Sequence, residues 1–121
     1  MGKQFVVRYM RYRDSYPGQE FIDGADELTR AKFMAFATAL ANAGRLPDGT
    51  HGHFLQGAYS KIYELKPGKS RVLGFFHERN IYITNGAPKK KRKEQEKDYE
   101  EASRLRDDFY YLVNRKKGRQ E

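Results

Sequence analysis

Residues 61–93 constrain the fold more strongly than any other part of this sequence. Pro67-Gly68 is typical of a tight turn, with Gly68 at a position that takes positive φ. Residues 77–80 form a second short connection. The runs on either side of these connections are rich in β-branched and aromatic residues, which favour strands: Ile62–Lys66, Arg71–His77 and Ile81–Thr84. The segment therefore predicts a three-stranded antiparallel meander that ends at Asn85–Pro88.

Alternation along the first of these strands separates its side chains between two faces. Ile62, Glu64 and Lys66 share one face, and Tyr63 and Leu65 share the other. Lys66 then lies beside Arg71 on the next strand, close to the basic run that follows the third strand. This basic run consists of Lys89, Lys90, Lys91, Arg92 and Lys93. We expect these cations together to form a phosphate-binding surface.

The basic run itself has three interpretations. It is a solvated group of charges at the start of a helix, a nuclear import signal of the simplest basic type, or a contact with the RNA backbone. Lys61 and Lys69 lie close enough along the chain to extend an RNA contact. Charge alone would give an affinity that depends on salt and ignores base sequence.

The remaining elements precede and follow the meander. We predict a strand at Gln4–Tyr12, a short helical turn at 19–23 and a helix at Ala25–Ala43 that is capped by Gly44. The buried face of this helix has helical spacing and contains Phe33, Phe36, Ala37 and Leu40. A last helix is predicted at Glu94–Lys116, ended by Gly118, with an apolar stripe formed by Ala102, Leu105, Phe109, Leu112 and Val113.

This order of elements predicts an α+β fold. We expect one domain over residues 1–121, with an antiparallel sheet of about four strands. An N-terminal helical hairpin should cover one face of the sheet, and the C-terminal helix should pack separately.

Charge and composition limit the partners and the chemistry. The formal net charge of +8 and the pI near 9.7 favour a polyanionic partner, nucleic acid first and an acidic protein second. The absence of cysteine excludes thiol catalysis and disulfides. No apolar run approaches the roughly 20 residues that span a bilayer, and the N-terminus lacks a secretory signal. We therefore expect a cytoplasmic protein with no membrane partner and no cofactor.

Two histidines and one arginine have alternative roles. His51 and His53 have the spacing of metal ligands on a strand, but no third ligand fits a known pattern, so no metal site is predicted. We expect His53 in a surface loop, from which it can reach RNA. Arg71 either binds phosphate through its planar guanidinium or forms an ion pair with Glu64 or Glu78 across the sheet.

The strands and the basic run resemble the RelE/HigB superfamily of toxin–antitoxin toxins, in particular its phage-derived HigB-like branch. The resemblance covers Phe5 to Phe109. Its motifs are YELK at Tyr63–Lys66, RVLGFF at Arg71–Phe76, IYITNG at Ile81–Gly86, and Lys90-Lys91 before the last helix. The sequence departs from the superfamily at Lys66, where arginine is usual, and at Arg92, Glu94 and Gln95-Glu96.

The resemblance implies a RelE-like fold and the toxin component of a type II toxin–antitoxin system. Such a toxin cleaves mRNA on the ribosome by attack of a ribose 2′-OH on the adjacent phosphate, without a metal ion. Its partners are mRNA on the ribosome and a cognate antitoxin, which we expect to be a HigA-like helix-turn-helix protein. The alternative is a non-catalytic RNA- or protein-binding module on the same scaffold.

The residues present allow this chemistry. Arg71 can hold phosphate bidentately, and Lys66 or Lys90 can act as point charges. The general base stays open among Lys66, Glu64, His77 and Tyr99. The predicted catalytic set is Lys66, Arg71, Lys90 and Tyr99, and the predicted RNA-binding set is Lys61, Lys69, Lys89, Lys91, Arg92, Lys93 and His53.

Overall fold

The computed structural model describes residues 4–119, with side chains up to residue 116. It contains five strands, three α-helices and one short 3₁₀ turn. In chain order these are β1 Val6–Tyr9, α1 Pro17–Asp23, α2 Glu27–Ala43, β2 Gly52–Phe54, the 3₁₀ turn Gly57–Tyr59, β3 Tyr63–Leu65, β4 Ser70–His77, β5 Asn80–Pro88 and α3 Arg92–Arg119. The predicted α+β class is therefore confirmed.

One sheet contains all five strands, in the order β1-β5-β4-β3-β2. The meander β3-β4-β5 is antiparallel, as predicted. The expectation of about four antiparallel strands is wrong in two respects, because β2 adds an edge strand beside β3 and β1 runs parallel to β5. A tight turn fixes an antiparallel direction between neighbouring strands, but β1 is followed in the chain by helices, so no turn fixes its direction.

The hairpin of β4 and β5 extends further than predicted. Asn85–Pro88 was expected to end the meander, but β5 continues to Pro88, so that Arg71 pairs with Ala87. The pairing register of β4 with β5 shifts between Leu73 and Gly74, so that β5 contains one more residue than β4 over the paired stretch. Turn-forming residue types can thus stay in a strand where a partner strand continues to pair with them. The predicted turn before β4 is confirmed, because Gly68 has a φ of +67°.

Helices cover both faces of the sheet. Helices α1 and α2 pack on one face, where Phe33 and Leu40 join a core with Tyr63, Leu65 and Ile83. The side chains of α3 pack on the opposite face, in a separate core that contains Ile62, Leu73, Phe75, Ala102 and Leu105. The prediction that the last helix packs apart from the other two is confirmed, and so is the alternation of Ile62 against Tyr63 and Leu65.

Helix α2 has ordinary caps at both ends, whereas Tyr16 at the start of α1 makes no side-chain capping hydrogen bond. The Asp26 side chain accepts a hydrogen bond from the Thr29 N–H at the start of α2. Gly44 ends α2 in the left-handed conformation with a φ of +73°, as predicted. Gly118 does not end α3, which continues to Arg119. Leu112 is 59% exposed and so does not belong to the buried stripe. Among the described residues, no helix is long and apolar enough to cross a membrane.

Candidate functional site

A group of polar side chains meets beneath the start of α3. Glu64 projects from β3 towards this helix and is only 3% exposed. Its Oε2 accepts hydrogen bonds from the Tyr99 hydroxyl, at 2.8 Å, and from Gln95 Nε2, at 3.1 Å. Burying a carboxylate costs much free energy unless such donors replace water. The pair of donors, one helical turn apart on α3, therefore stabilises the position of this carboxylate.

His53 approaches the same carboxylate from the neighbouring strand. It lies directly opposite Glu64 in the pairing of β2 with β3, and its Nε2 is 3.8 Å from Glu64 Oε1 with 38% of the side chain exposed. This distance is too long for a hydrogen bond but suits an ion pair. The expectation of a loop histidine is wrong, because pairing with β3 places His53 in a short edge strand.

The electrostatics of Tyr99 define its possible chemistry. Burial raises the pKa of the Tyr99 phenol above its ordinary value, and the hydrogen bond to Glu64 and the charge of that carboxylate raise it further. The positive charges of Arg71 and Arg92 act in the opposite direction and lower this pKa. The phenol is consequently protonated at neutral pH, where it can donate a hydrogen bond but cannot act as a base.

Arg71 and Lys66 lie at the rim of the sheet. They flank the paired residues Leu65 and Val72. Arg71 Nη1 donates to the carbonyl oxygens of Ser70, at 2.8 Å, and Gly68, at 3.3 Å. Among the described residues it forms no ion pair with Glu64 or with Glu78. The cross-strand ion pair that was the alternative role of Arg71 is thus absent, and its guanidinium instead supports the turn.

The basic run follows β5 at the surface, and its last two residues, Arg92 and Lys93, form the start of α3. Lys89, Lys90, Lys91, Arg92 and Lys93 are all exposed. The Lys89 N–H donates to the Lys69 carbonyl at 2.8 Å, which brings Lys69 beside the run. Lys90 Nζ lies 3.3 Å from Asp98 Oδ2, so Asp98 partly neutralises this lysine.

A cleft of about 620 Å³ opens between the 3₁₀ turn and the start of α3. Lys90, Arg92, Gln95 and Tyr99 line it from the helix side, and Tyr59 lines it from the turn. The rings of Tyr59 and Tyr99 are 5.8 Å apart. Cations that can bind phosphate and aromatic rings that can stack on bases are the two features that single-stranded nucleic acid requires. We name this space the first cleft.

The structure brings together only part of the predicted site. Tyr99, Lys90 and Arg92 line the first cleft, whereas Arg71, Lys66 and His53 are not among the residues that line it. His77 is elsewhere, with its Nδ1 3.3 Å from the Tyr110 hydroxyl. Lys61 lines a different cleft. Within residues 4–119, no three His, Asp or Glu side chains come together in a way that could hold a metal ion.

Sequence reasoning missed Gln95 and Tyr59. Gln95 is buried against Glu64, although the sequence presents it only as a departure from a family motif. The one available signal was its spacing of four residues from Tyr99, which places both side chains on one face of a helix. Tyr59 carries no signal, because only the folding of the loop 55–62 brings it to α3.

Comparisons with known proteins agree with this architecture. The family described as phage-derived protein Gp49-like (DUF891) matches residues 20–107. The structure is similar to the archaeal RelE–RelB complex from Pyrococcus horikoshii OT3, with 15% identity, a TM-score of 0.56, and coverage of 73% of this chain and 98% of that chain. It is also similar to the toxin–antitoxin complex RelBE2 from Mycobacterium tuberculosis, with 13% identity, a TM-score of 0.53, and coverage of 71% and 99%.

Among curated proteins, no sequence matches this chain significantly. The structural matches confirm the RelE-like fold that was expected from the strands and the basic run. The family match extends over well more than half of the chain. The chain therefore belongs to the Gp49-like family of phage-derived proteins, and it has the fold of the RelE toxins.

Proposed function

We propose that this protein is the toxin of a type II toxin–antitoxin system and that it cleaves mRNA on the ribosome. The observation that carries the proposal is the first cleft, where exposed cations lie beside the Glu64–Tyr99 hydrogen bond. The RelE-like fold supports the proposal, because the solved structures it resembles are toxin–antitoxin complexes. The net charge of +8 also favours a nucleic-acid partner.

The proposed reaction is a transfer within the RNA backbone. The ribose 2′-oxygen attacks the adjacent phosphorus and the bond to the 5′-oxygen breaks, which leaves a 2′,3′-cyclic phosphate and a 5′-OH. A base removes the 2′ proton and an acid protonates the leaving oxygen. Arg71, Lys66 and Lys90 stabilise the charge that develops on the phosphate oxygens. None of these steps requires a metal ion or a cofactor.

The geometry narrows the choice of proton carriers. The raised pKa of Tyr99 disfavours it as the base, and His77 packs against Phe109 and Tyr110, away from the first cleft. Glu64 is buried and already accepts two hydrogen bonds. His53 is half-exposed beside that carboxylate, and a neutral imidazole has one ring nitrogen that can accept a proton. We therefore add His53, positioned by Glu64, to Lys66 as a candidate proton carrier.

The proposed partners follow from the same surface. The protein acts in the cytoplasm as one toxin domain, on mRNA bound to the ribosome. Its antitoxin, a HigA-like helix-turn-helix protein, covers the basic run with an acidic segment, because complementary charge speeds association. The RNA-binding residues are Lys61, Lys69, Lys89, Lys91, Arg92, Lys93 and His53, all of them polar or charged groups that are exposed or half-exposed.

A non-catalytic binding module on the same scaffold is the second candidate function. One observation favours it. Lys90 is paired with Asp98 at 3.3 Å, and the proton of Tyr99 is donated to Glu64. With Arg71, which donates to the carbonyl oxygens of Ser70 and Gly68, three of the four proposed catalytic groups are engaged within the protein itself, as would be expected where binding requires no proton transfer.

Arg71→Ala tests the catalytic proposal. Purified protein is incubated with programmed ribosomes, and the cleaved mRNA ends are mapped and quantified. Loss of one charged contact to a transition state typically costs about 10²–10³ in rate. We expect a loss of this size with an unchanged melting temperature. Arg79→Ala is the matched control, because Arg79 lies in the turn after β4, at the other end of that strand, and donates to the Gln4 carbonyl.

Two outcomes would contradict the proposal. Full cleavage by Arg71→Ala together with a lowered melting temperature would show that Arg71 only supports its turn through Gly68 and Ser70. A wild-type protein that binds RNA but cleaves none, on or off the ribosome, would leave the binding module as the function.

A further inference from the structure

A second cleft of about 630 Å³ adjoins the first. It lies between the edge strand β2, the end of β4 and the middle of α3. Its lining consists of Phe54, Leu55, Gln56, Ser60, Lys61, Phe76 and Arg106. Leu55 and Gln56 line both clefts, so the two spaces share this segment as a common wall.

Phe54 gives the second cleft its aromatic surface. The side chain is 48% exposed although it lies in a strand. Its ring packs edge-to-face on Tyr63, with centroids 5.0 Å apart, and at 5.4 Å from Phe76. The ring is therefore held in place on one side and open on the other. A preorganised ring binds a planar partner without the entropy cost of ordering a mobile side chain.

Two cations flank this ring. Lys61 is exposed, and within the described residues it forms no ion pair. The Arg106 guanidinium lies over the Tyr110 ring, 4.6 Å from its centroid, which orients the side chain. Its nearest carboxylate is that of Asp107, at 4.0 Å. The second cleft thus repeats the combination of open aromatic surface and positive charge found in the first cleft.

We propose that the second cleft is a nucleotide subsite for single-stranded RNA. Phe54 stacks on one base, and Lys61 and Arg106 bind the neighbouring phosphates. The strand then passes Gln56 into the first cleft. The inference rests on the proposed RNA substrate, but it does not require that the protein cleave RNA. Because every base has a stacking face, this subsite adds affinity and sets the path of the strand without reading sequence.

A single fluorophore can report this contact directly. The chain contains no tryptophan, so Phe54→Trp introduces the only one. The purified variant is titrated with an oligoadenylate ribonucleotide, and we expect the indole emission to be quenched along the same isotherm that fluorescence anisotropy of labelled RNA gives. Inorganic polyphosphate carries the charge without the bases, and we expect it to bind without quenching. Met34→Trp on α2, where Met34 is 59% exposed, is the matched control and should not respond to RNA.

Affinity provides the second measurement. Phe54→Ala should weaken oligonucleotide binding roughly 5- to 100-fold, the range typical for loss of one stacked base, whereas Phe54→Tyr should retain it. Thermal melting of each variant verifies folding. Unchanged affinity of a folded Phe54→Ala protein would overturn the subsite, as would equal quenching in the two tryptophan variants. A Phe54→Trp signal with purified antitoxin but none with RNA would overturn it in favour of a protein interface.

The two experiments distinguish a wrong subsite from a wrong proposed function. If wild-type protein cleaves mRNA on the ribosome while Phe54→Trp shows no quenching, the subsite is wrong and the toxin proposal stands. If oligoadenylate quenches Phe54→Trp while no RNA is ever cut, the subsite stands and the nuclease proposal is wrong.

Discussion

The two halves of α3 contact the same face of the sheet through opposite kinds of interaction. The first half meets it through hydrogen bonds, from Gln95 and Tyr99 to the buried Glu64. The second half meets it through apolar contacts. Ala102 and Leu105 are fully buried, and the Phe109 ring lies 5.3 Å from that of Phe75 and 4.7 Å from that of Tyr82.

This difference separates folding from function along one helix. Burial of apolar surface is the main favourable term in folding, so the second half holds α3 on the sheet. The hydrogen bonds of the first half largely offset the cost of removing Glu64 from water, and their net contribution to stability is smaller. They fix Tyr99 and Gln95 at the wall of the first cleft. The first half of α3 therefore serves mainly to position these two side chains.

The largest loss of stability is expected from a substitution in the second half of α3, which we call the apolar half. Leu105→Ala removes a fully buried side chain and should lower the free energy of unfolding by about 2–5 kcal/mol, because it leaves a cavity against Leu73 and Phe75. Denaturant titration followed by circular dichroism measures this change. Leu112→Ala, two turns further on and 59% exposed, should change it by less than about 0.5 kcal/mol. Equal losses in the two variants would show that α3 is not held by its buried stripe.

A substitution in the first half of α3, which we call the polar half, should lower the free energy of unfolding by less. Glu64→Ala leaves the Tyr99 hydroxyl and Gln95 Nε2 without their shared acceptor, which should cost about 1–3 kcal/mol. In a Tyr99→Phe background one of the two unsatisfied donors is gone, so the added cost of Glu64→Ala should be smaller. A double-mutant cycle measures this coupling. Strictly additive losses would show that the hydrogen bond contributes nothing to stability.

The same contrast explains what the sequence could predict. The buried faces of α2 and α3 were correct at Phe33, Leu40, Ala102 and Leu105, because helical spacing records which side faces the core. Gly44 and Gly68 were correct because positive φ strongly favours glycine. These are local properties, and each is encoded within a few residues of where it acts.

Features that depend on distant partners were not predictable. Strand β2 has three residues and exists as a strand through its pairing with β3, so the stretch around His53 was expected to be irregular. The parallel direction of β1 depends on its contact with β5. The candidate site shows the same limit, because Gln95 and Tyr59 gain a role only when α3 and the 3₁₀ turn dock beside the sheet.

The phenol of Tyr99 in the polar half should also make the free energy of unfolding depend on pH in the alkaline range. In the folded protein the pKa of Tyr99 is raised above the ordinary value of 10.0, chiefly by burial and then by Glu64. Between pH 10.0 and that raised pKa the folded state binds the proton more tightly than the unfolded state does. The stabilisation is therefore fully present below the unfolded pKa and is lost as the pH rises through the folded one.

Denaturant titrations at a series of alkaline pH values measure this dependence. Wild-type protein should lose stability above a pH of about 10 more steeply than Tyr99→Phe, which lacks the group. Tyr111→Phe is the control, since Tyr111 is 65% exposed in the apolar half, and it should follow the wild type. Identical profiles for wild type and Tyr99→Phe would mean that this phenol titrates normally.

The smallest effect on stability is expected at the surface of the polar half, where Asp98 pairs with Lys90 at 3.3 Å. A partly exposed pair of this kind contributes at most about 1 kcal/mol, so Asp98→Asn should scarcely change the free energy of unfolding. It should instead strengthen binding of single-stranded RNA, because Lys90 would no longer share its charge with a carboxylate.

One additional phosphate contact steepens the dependence of log K on log salt by about 0.7. Asp108→Asn makes the same change of charge in the other half of the helix, where Asp108 pairs with Arg104 at 3.4 Å and Arg104 keeps a second ion pair with Glu101. A steeper slope in Asp98→Asn alone would assign phosphate binding to the polar half. If both variants steepened equally, net charge would account for the effect, and the contrast between the halves would not extend to RNA.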